Sequence, residues 1–411
     1  MDGKARSLLC YTKEQLLSLL FLLAYRMAPK YFTREAKAEL DFKNTAIMIL
    51  KTVKKSAKVE IMDFFSHFTG MLEIPSRQAF AQSREIISYL AFKDFFEKSC
   101  ELAVNDESAK LYKGYRLFAV DGTSFCVGAL EKLARYFGES TTVAGEAMCR
   151  ISAVVDVLGD YIVNACVSPF STGERALAIK QIAELSFVSN ALYLFDRGYW
   201  SAQLTSLVIL NSQKFIMRLA SNTGKTRVTD ENGKPYALRR YSFKLPGGGE
   251  EVLLTNLTEA EMSDDELAAL YAKRWGVETK YLELKDRLQI DKFSGASENV
   301  VLQDIYSTLY ISNLVAVAFI CCNSDNMIND RTAAKNNKYP QKTNRTVCIA
   351  ALRQRFIGIC LTDDPMELDF LLRLLYRDIS KSVTYVGKSK PKPRNKRDLK
   401  NARKHFSKPL L

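Results

Sequence analysis

Histidine is almost missing from this chain: two residues in 411, His67 and His405, far apart in sequence. That scarcity argues against a zinc centre, which usually draws on histidine or paired cysteines. The nine cysteines are odd in number and show no CxxC spacing. Cys321 and Cys322 are adjacent, and others sit in apolar runs such as 149–155 and 161–167. Buried free thiols in a reducing cytosol are expected. Long hydrophobic runs are scarce near the N-terminus: residues 16–24 are apolar but broken by Ser18, short of the roughly 20 residues a membrane span needs. Thr12 and Gln15 have capping-box spacing, and Tyr25-Arg26 follow the run without a small-residue cleavage site. A buried helix is expected there rather than a span or a signal peptide, with no membrane partner.

What is present is an ordinary globular composition, 47% hydrophobic and 26% charged, in a chain long enough for about two to four domains. The net charge is +13, and its placement is uneven. Residues 380–411 hold eleven Lys or Arg and one acid, a net of +10, which leaves +3 for residues 1–379. A basic tail on a nearly balanced body points to a polyanion, nucleic acid above all, or else to a solubilising tail.

Periodicity divides the chain. Residues 1–110 read as a small helical domain, with three- and four-residue apolar spacing at 16–28, 46–53, 61–68 and 79–95, and DNA binding is one role for its basic faces. Residues 111–322 read as α/β. Strands are expected at 115–127, 149–157, 161–168, 191–195 and 214–219, and helices at 172–185 and 201–211. A Gly- and Pro-rich, mostly β insertion is expected at about 220–256. A long helix capped by Ser263 and Glu266 should run to about residue 288, followed by an apolar helix at 300–322. Residues 323–411 read as a polar loop, two helices near 347–357 and 366–377, and the basic tail.

Three acids stand out by context. Asp121 closes the apolar run 117–120 and Asp196 closes 192–195; carboxylates at the C-terminal ends of buried strands lie where α/β sheets bind ligands. A turn or helix N-cap is the alternative for either. On the long helix, Tyr271, Arg274, Glu278 and Lys285 fall within about a 60° arc at 100° per residue. A salt-bridged helix face is the alternative, because Arg274 and Glu278 are four apart. Gly276 in mid-helix costs about 1 kcal/mol relative to Ala, which close approach of a backbone, a phosphate or a packed helix would justify. Phosphodiester chemistry gives the three acids a common purpose. Two hard cations about 3.5–4 Å apart activate the attacking oxygen and stabilise the leaving one. Mg²⁺ takes oxygen ligands from a few carboxylates and the substrate phosphate, while Arg274, Lys285 and Tyr271 would hold DNA phosphates.

The spacing Tyr-x2-Arg-x3-Glu-x6-Lys at 271–285, with Asp-Gly-Thr at 121–123 and Asp-Arg-Gly-Tyr at 196–199, resembles the motifs of bacterial insertion-sequence transposases of family four, a DDE family. The resemblance covers roughly residues 75–320. It implies a ribonuclease-H-like mixed sheet interrupted by the β insertion, with Asp121, Asp196 and Glu278 as catalytic metal ligands for two Mg²⁺ or Mn²⁺ ions. It also implies Tyr271, Arg274 and Lys285 on DNA phosphates, a homodimer that synapses two transposon ends, and cut-and-paste transposition through hairpin ends into target DNA. Trp275, after the motif's Arg, would stack on an unpaired base or serve as a core residue. A bacterial cytoplasmic, nucleoid-associated protein is expected. A domesticated DNA-binding protein with a vestigial triad and a general metal-dependent nuclease are the competing readings.

Overall fold

In the computed structural model, the described residues are 3–33, 39–51, 56–67, 74–141, 144–220, 223–224, 226–230, 232–244, 249–323 and 341–385. The chain forms two compact units, residues 1–87 with 314–411, and residues 88–313.

The second unit is built on a seven-stranded mixed sheet. Its strands are β1 (Arg116–Gly128), β2 (Ala147–Asp156), β3 (Tyr161–Pro169), β4 (Ala191–Phe195), β5 (Lys214–Leu219), β6 (Arg239–Lys244) and β7 (Glu250–Thr255). They lie in the order β3-β2-β1-β4-β5-β7-β6. β1, β4 and β5 run parallel, while β2 and β3 form antiparallel meanders on one side. The parallel strands are central and apolar throughout: Leu117–Val120 and Ala191–Phe195 are fully buried, as strands covered on both faces must be. The Gly- and Pro-rich segment is not a separate β module. β7 pairs antiparallel with β5, and β6 pairs with β7, so the segment lengthens the main sheet by two strands. Within the expected β insertion, residues 226–228 form no strand.

Helices Leu90–Val104, Glu174–Glu184 and Ala202–Leu210 accompany this sheet. Residues 79–95, with continuous apolar spacing, hold the end of one helix, Arg77–Glu85, and the start of another, Leu90–Val104. The expected long helix is likewise interrupted. It runs as α-helix Asp264–Tyr271, a 3₁₀ turn Ala272–Arg274, α-helix Trp275–Leu282 and a π turn Glu283–Arg287. Ser263 and Glu266 form the expected capping box. Helix Glu298–Cys321 is long and apolar enough to cross a membrane, but 83% of its apolar window is buried within the protein. Asn313 on that helix donates to the Ile162 carbonyl at 2.8 Å and accepts from the Ile162 N–H at 2.9 Å.

The first unit is helical. Gly3–Leu17 packs on Arg345–Leu361 and on Phe42–Leu50, so segments from both ends of the chain share one core. The capping-box spacing at Thr12 does not start a helix. Thr12 lies inside Gly3–Leu17, donates to the Leu8 carbonyl at 2.8 Å, and the next helix starts at Ser18, whose hydroxyl accepts from the Phe21 N–H. Helix Pro365–Lys381 follows, and Val383–Tyr385 pairs with Gln341–Thr343. The basic tail beyond residue 385 lies outside the described residues.

Candidate active site

Val120 pairs with Phe195 at the last step of the parallel β1–β4 register. The next residues are Asp121 and Asp196, which therefore leave neighbouring parallel strands at the same level. Asp121 does not end its strand, however. β1 continues to Gly128 against β2, and only its pairing with β4 stops at Val120. Because the pairing with β4 stops there, Asp121 stands on a continuous strand whose β4-side edge is unpaired.

Asp121 Oδ1 accepts from the Gly122 N–H at 2.9 Å. Burial, reinforced by the charges of Glu174 and Glu278, pushes its carboxyl up to about 6, against the opposing pull of the Gly122 N–H and Arg274. Asp196 caps a 3₁₀ turn, Arg197–Tyr199, accepting from the Arg197 N–H at 2.8 Å and from the Tyr271 hydroxyl at 3.4 Å. Arg218, on β5, lies 3.9 Å from Asp196 and 3.1 Å from Glu251.

Glu278 is carried by helix Trp275–Leu282, which packs on β1 and β2. Two contacts fix that packing. Tyr281 donates its hydroxyl to the Asp121 carbonyl at 2.7 Å, and Gly276 lies so close to Val157 that a Cβ there would come within 3.1 Å of Val157 Cγ1. The mid-helix glycine is thus accounted for by helix-on-sheet packing. Glu278 Oε1 accepts from Arg274 Nη2 at 2.9 Å. Arg274 is almost wholly buried, and its Nε and Nη1 have no hydrogen-bond partner among the described residues. Lys285, in the π turn, donates to Thr123 Oγ1 at 2.6 Å. Each of the three basic or hydroxyl residues singled out on this helix therefore touches a motif residue: Tyr271 meets Asp196, Arg274 meets Glu278, and Lys285 meets Thr123. Trp275 is 51% exposed and so not a core residue; the Arg274 guanidinium stands 5.3 Å from its ring centre.

Sequence reasoning missed Glu174, Arg218 and Tyr281. Glu174 reads as an ordinary first-turn acid, Arg218 as an exposed position on a strand, and Tyr281 as part of the helix's apolar face.

The donor set is oxygen only, as hard divalent cations require. A cation beside Asp121 would also offset the burial and like charge that disfavour its ionised form. These residues fit such an ion by chemistry, although among the described residues no three His, Cys, Asp or Glu side chains are gathered as a metal cage. Glu278 is turned to Arg274 and would have to exchange that partner.

Residues 112–314 match the family model described as the transposase DDE domain. Transposase InsG for insertion sequence element IS4, of Escherichia coli (strain K12), is 23% identical over 270 residues, 59% of this chain and 61% of that protein. Putative transposase InsZ, from the same strain, is 24% identical over 151 residues, 34% of this chain and 48% of that protein. The chain thus spans about half to three-fifths of the length of these curated relatives. A cryo-EM structure of a piggyBac transposase synaptic complex with hairpin DNA has a TM-score of 0.49 and 11% identity, covering 94% of this chain and 87% of that one. The class of protein that the matched domain defines is the DDE transposases, which generally use divalent metal ions. Within that class the chain is similar to the insertion-sequence transposases of family four, as its motifs implied.

Proposed function

We propose that this chain is a DNA transposase that moves an insertion sequence by metal-dependent cut-and-paste. It cleaves at terminal inverted repeats, through hairpin ends, and transfers the freed ends to target double-stranded DNA. The observation that carries the reading is that Asp121 and Asp196 each directly follow the last paired step of the parallel β1–β4 register, with the helix bearing Glu278 fastened to the first of them. The 3-2-1-4-5 order of the first five strands, with the second antiparallel to the first, supports a ribonuclease-H-like core.

Asp121, Asp196 and Glu278 would hold two Mg²⁺ or Mn²⁺ ions. When bound, such a pair activates the attacking oxygen and stabilises the leaving oxygen of the phosphodiester. Arg274 orients Glu278, and its buried Nε and Nη1 would meet a phosphate oxygen once DNA binding uncovers them. Lys285 and Tyr271 bind the same backbone, and exposed Trp275 stacks on an unpaired base of the hairpin. The helical unit and the basic residues 380–411 hold DNA, and two copies synapse two ends in the nucleoid.

The test is cleavage of DNA carrying the element's own terminal repeats by purified protein with Mg²⁺. Nicks at the repeat boundary, lost in Asp121→Asn and Glu278→Gln, are expected. Intact ends, or cleavage that survives both substitutions, would overturn the reading. Cutting irrespective of end sequence would instead select a general nuclease.

A further inference from the structure

Residues 16–25 carry no charged side chain and only one hydroxyl besides that of Tyr25, on Ser18. A folded chain ordinarily hides such a stretch, but here much of it is open. Ser18 caps a short helix, Leu19–Tyr25, that turns 74° away from Gly3–Leu17. Of its seven residues only Phe21 is buried. Leu17, Leu19, Leu20, Leu23 and Met27 are between 44% and 79% exposed. Side chains of that size and exposure leave roughly 500–600 Å² of apolar surface, the upper end for the largest patch on a monomer, where such patches are often functional.

The same helix forms part of a groove of about 1190 Å³ in the helical unit, larger than the roughly 300–1000 Å³ of a small-molecule site. Leu16, Leu19, Leu22, Phe32, Leu40 and Ile86 supply its apolar lining. Its polar side chains are turned to their own backbone. Ser18 accepts from the Phe21 N–H and Asp41 from the Asn44 N–H, while Thr33 donates to the Lys30 carbonyl and Ser83 to the Leu40 carbonyl. They leave little with which to orient a small polar ligand. Leu20 and Leu23 lie outside the groove. They form a ridge turned about 100° from the groove-lining pair Leu19 and Leu22, and Met27 continues the exposed stretch.

Ridge and groove thus share one helix, which makes the surface self-complementary. A two-fold axis beside the helix seats the ridge of each copy in the groove of the other. Covered on both copies, the patch amounts to about 1000–1200 Å², the area at which a specific interface begins. DNA is a poor occupant, because its contacts draw on Lys and Arg, and Leu19–Tyr25 has neither. A helix lying on a lipid surface has a charged, basic polar face, which this one also lacks.

We propose that helix Leu19–Tyr25 and the groove beside it form a homodimer interface, ridge into groove twice over, that joins two copies of this chain without DNA. The contact goes beyond the reading above, in which two copies meet at transposon ends, and it depends on neither the metal site nor cleavage.

The test is sedimentation velocity of the full-length protein, free of nucleic acid, at micromolar concentrations and in high salt to screen charge-driven association. Wild type is expected as a dimer of 46.5 kDa chains. Leu20→Glu changes the ridge and Leu19→Glu the groove wall. Both positions are mostly exposed, so both variants should keep the wild-type circular dichroism and melting temperature. Each should raise the dimer Kd about tenfold or more, since the new carboxylate would be covered without a partner. Hydrogen exchange of the wild type, measured below and above that Kd, needs no variant and should show residues 17–27 protected on dimerisation. A wild type that stays monomeric overturns the proposal, and its capture by phospholipid vesicles would assign the patch to a lipid surface instead. A dimer that both variants keep, or protection confined to other segments, overturns it equally by placing the contact elsewhere. Cleavage of transposon ends is judged separately and stands or falls without it.

Discussion

Tyr281 donates its hydroxyl to the backbone carbonyl of Asp121 at 2.7 Å, so the helix that carries Glu278 is tied to the strand that carries the first acid. One bond thereby couples two residues 157 positions apart in sequence. Tyr281→Phe should keep the ring's packing and lose only the bond. A stability loss of about 1 kcal/mol is expected, read as a lower urea midpoint. End cleavage should fall by more than the unfolded fraction explains, because Glu278 is no longer held in register. Equal, small losses in both would show that the bond is structural only.

The buried pair Arg116–Asp156, 2.7 Å apart, fixes the start of β1 to the end of β2. Both residues are nearly inaccessible to solvent, and Arg116 also donates to the Ala103 carbonyl. Arg116→Met leaves the buried Asp156 carboxylate without its cation, held only by the Leu158 and Gly159 N–H groups, and should cost about 3–5 kcal/mol. Equilibrium denaturation gives the value, and a loss below about 1 kcal/mol, the size of an exposed ion pair, would contradict the burial.

Gly276→Ala tests the helix-on-sheet contact. Alanine gains about 1 kcal/mol of helix propensity, but its Cβ would press within 3.1 Å of Val157 Cγ1. Overpacking of that kind typically costs about 1–3 kcal/mol, so net destabilisation is expected. Val157→Ala in the same chain should recover much of it. A stabilised single variant would mean that the helix stands off the sheet.

The pH dependence of the metal-free protein follows from Asp121. Its carboxyl is pushed from the ordinary 3.8 to about 6 in the folded state, so the folded chain holds that proton more tightly than the unfolded chain. The associated stability is fully present below about pH 4 and is lost as pH rises through about 6. Thermal midpoints of wild type minus Asp121→Asn, taken from pH 4 to 7 in chelator, should decline over that window. A difference that stays flat or rises would refute the shift.

The strands were legible because buried parallel strands are continuous apolar runs: 191–195 and 214–219 coincide with β4 and β5. Asp121 and Asp196 were legible for the same reason, each directly following an apolar run. The strand expected at 115–127 already ran past Asp121, as β1 does; that its pairing with β4 stops at Val120 was not legible, because strand pairing is a tertiary fact. The β character of residues 220–256 was expected, but not that β7 and β6 pair onto the main sheet, because turn-rich composition marks the interruptions rather than the strands' partners. The 3₁₀ and π turns were hidden as well. A uniform 100° per residue puts Tyr271, Arg274, Glu278 and Lys285 on one arc but gives no sign that the backbone tightens at Ala272 and widens at Glu283. Glu174 carried no signal of its own; only Gly122, which it overlies, did.

The most direct test of the shared cation site is a crystal of the protein grown with Mn²⁺ and measured for anomalous scattering. The account predicts anomalous peaks between the carboxylates of Asp121 and Asp196, with Glu278 rotated off Arg274 to join them. Peaks located elsewhere, with Glu278 still bonded to Arg274 and the two aspartates bare, would contradict it.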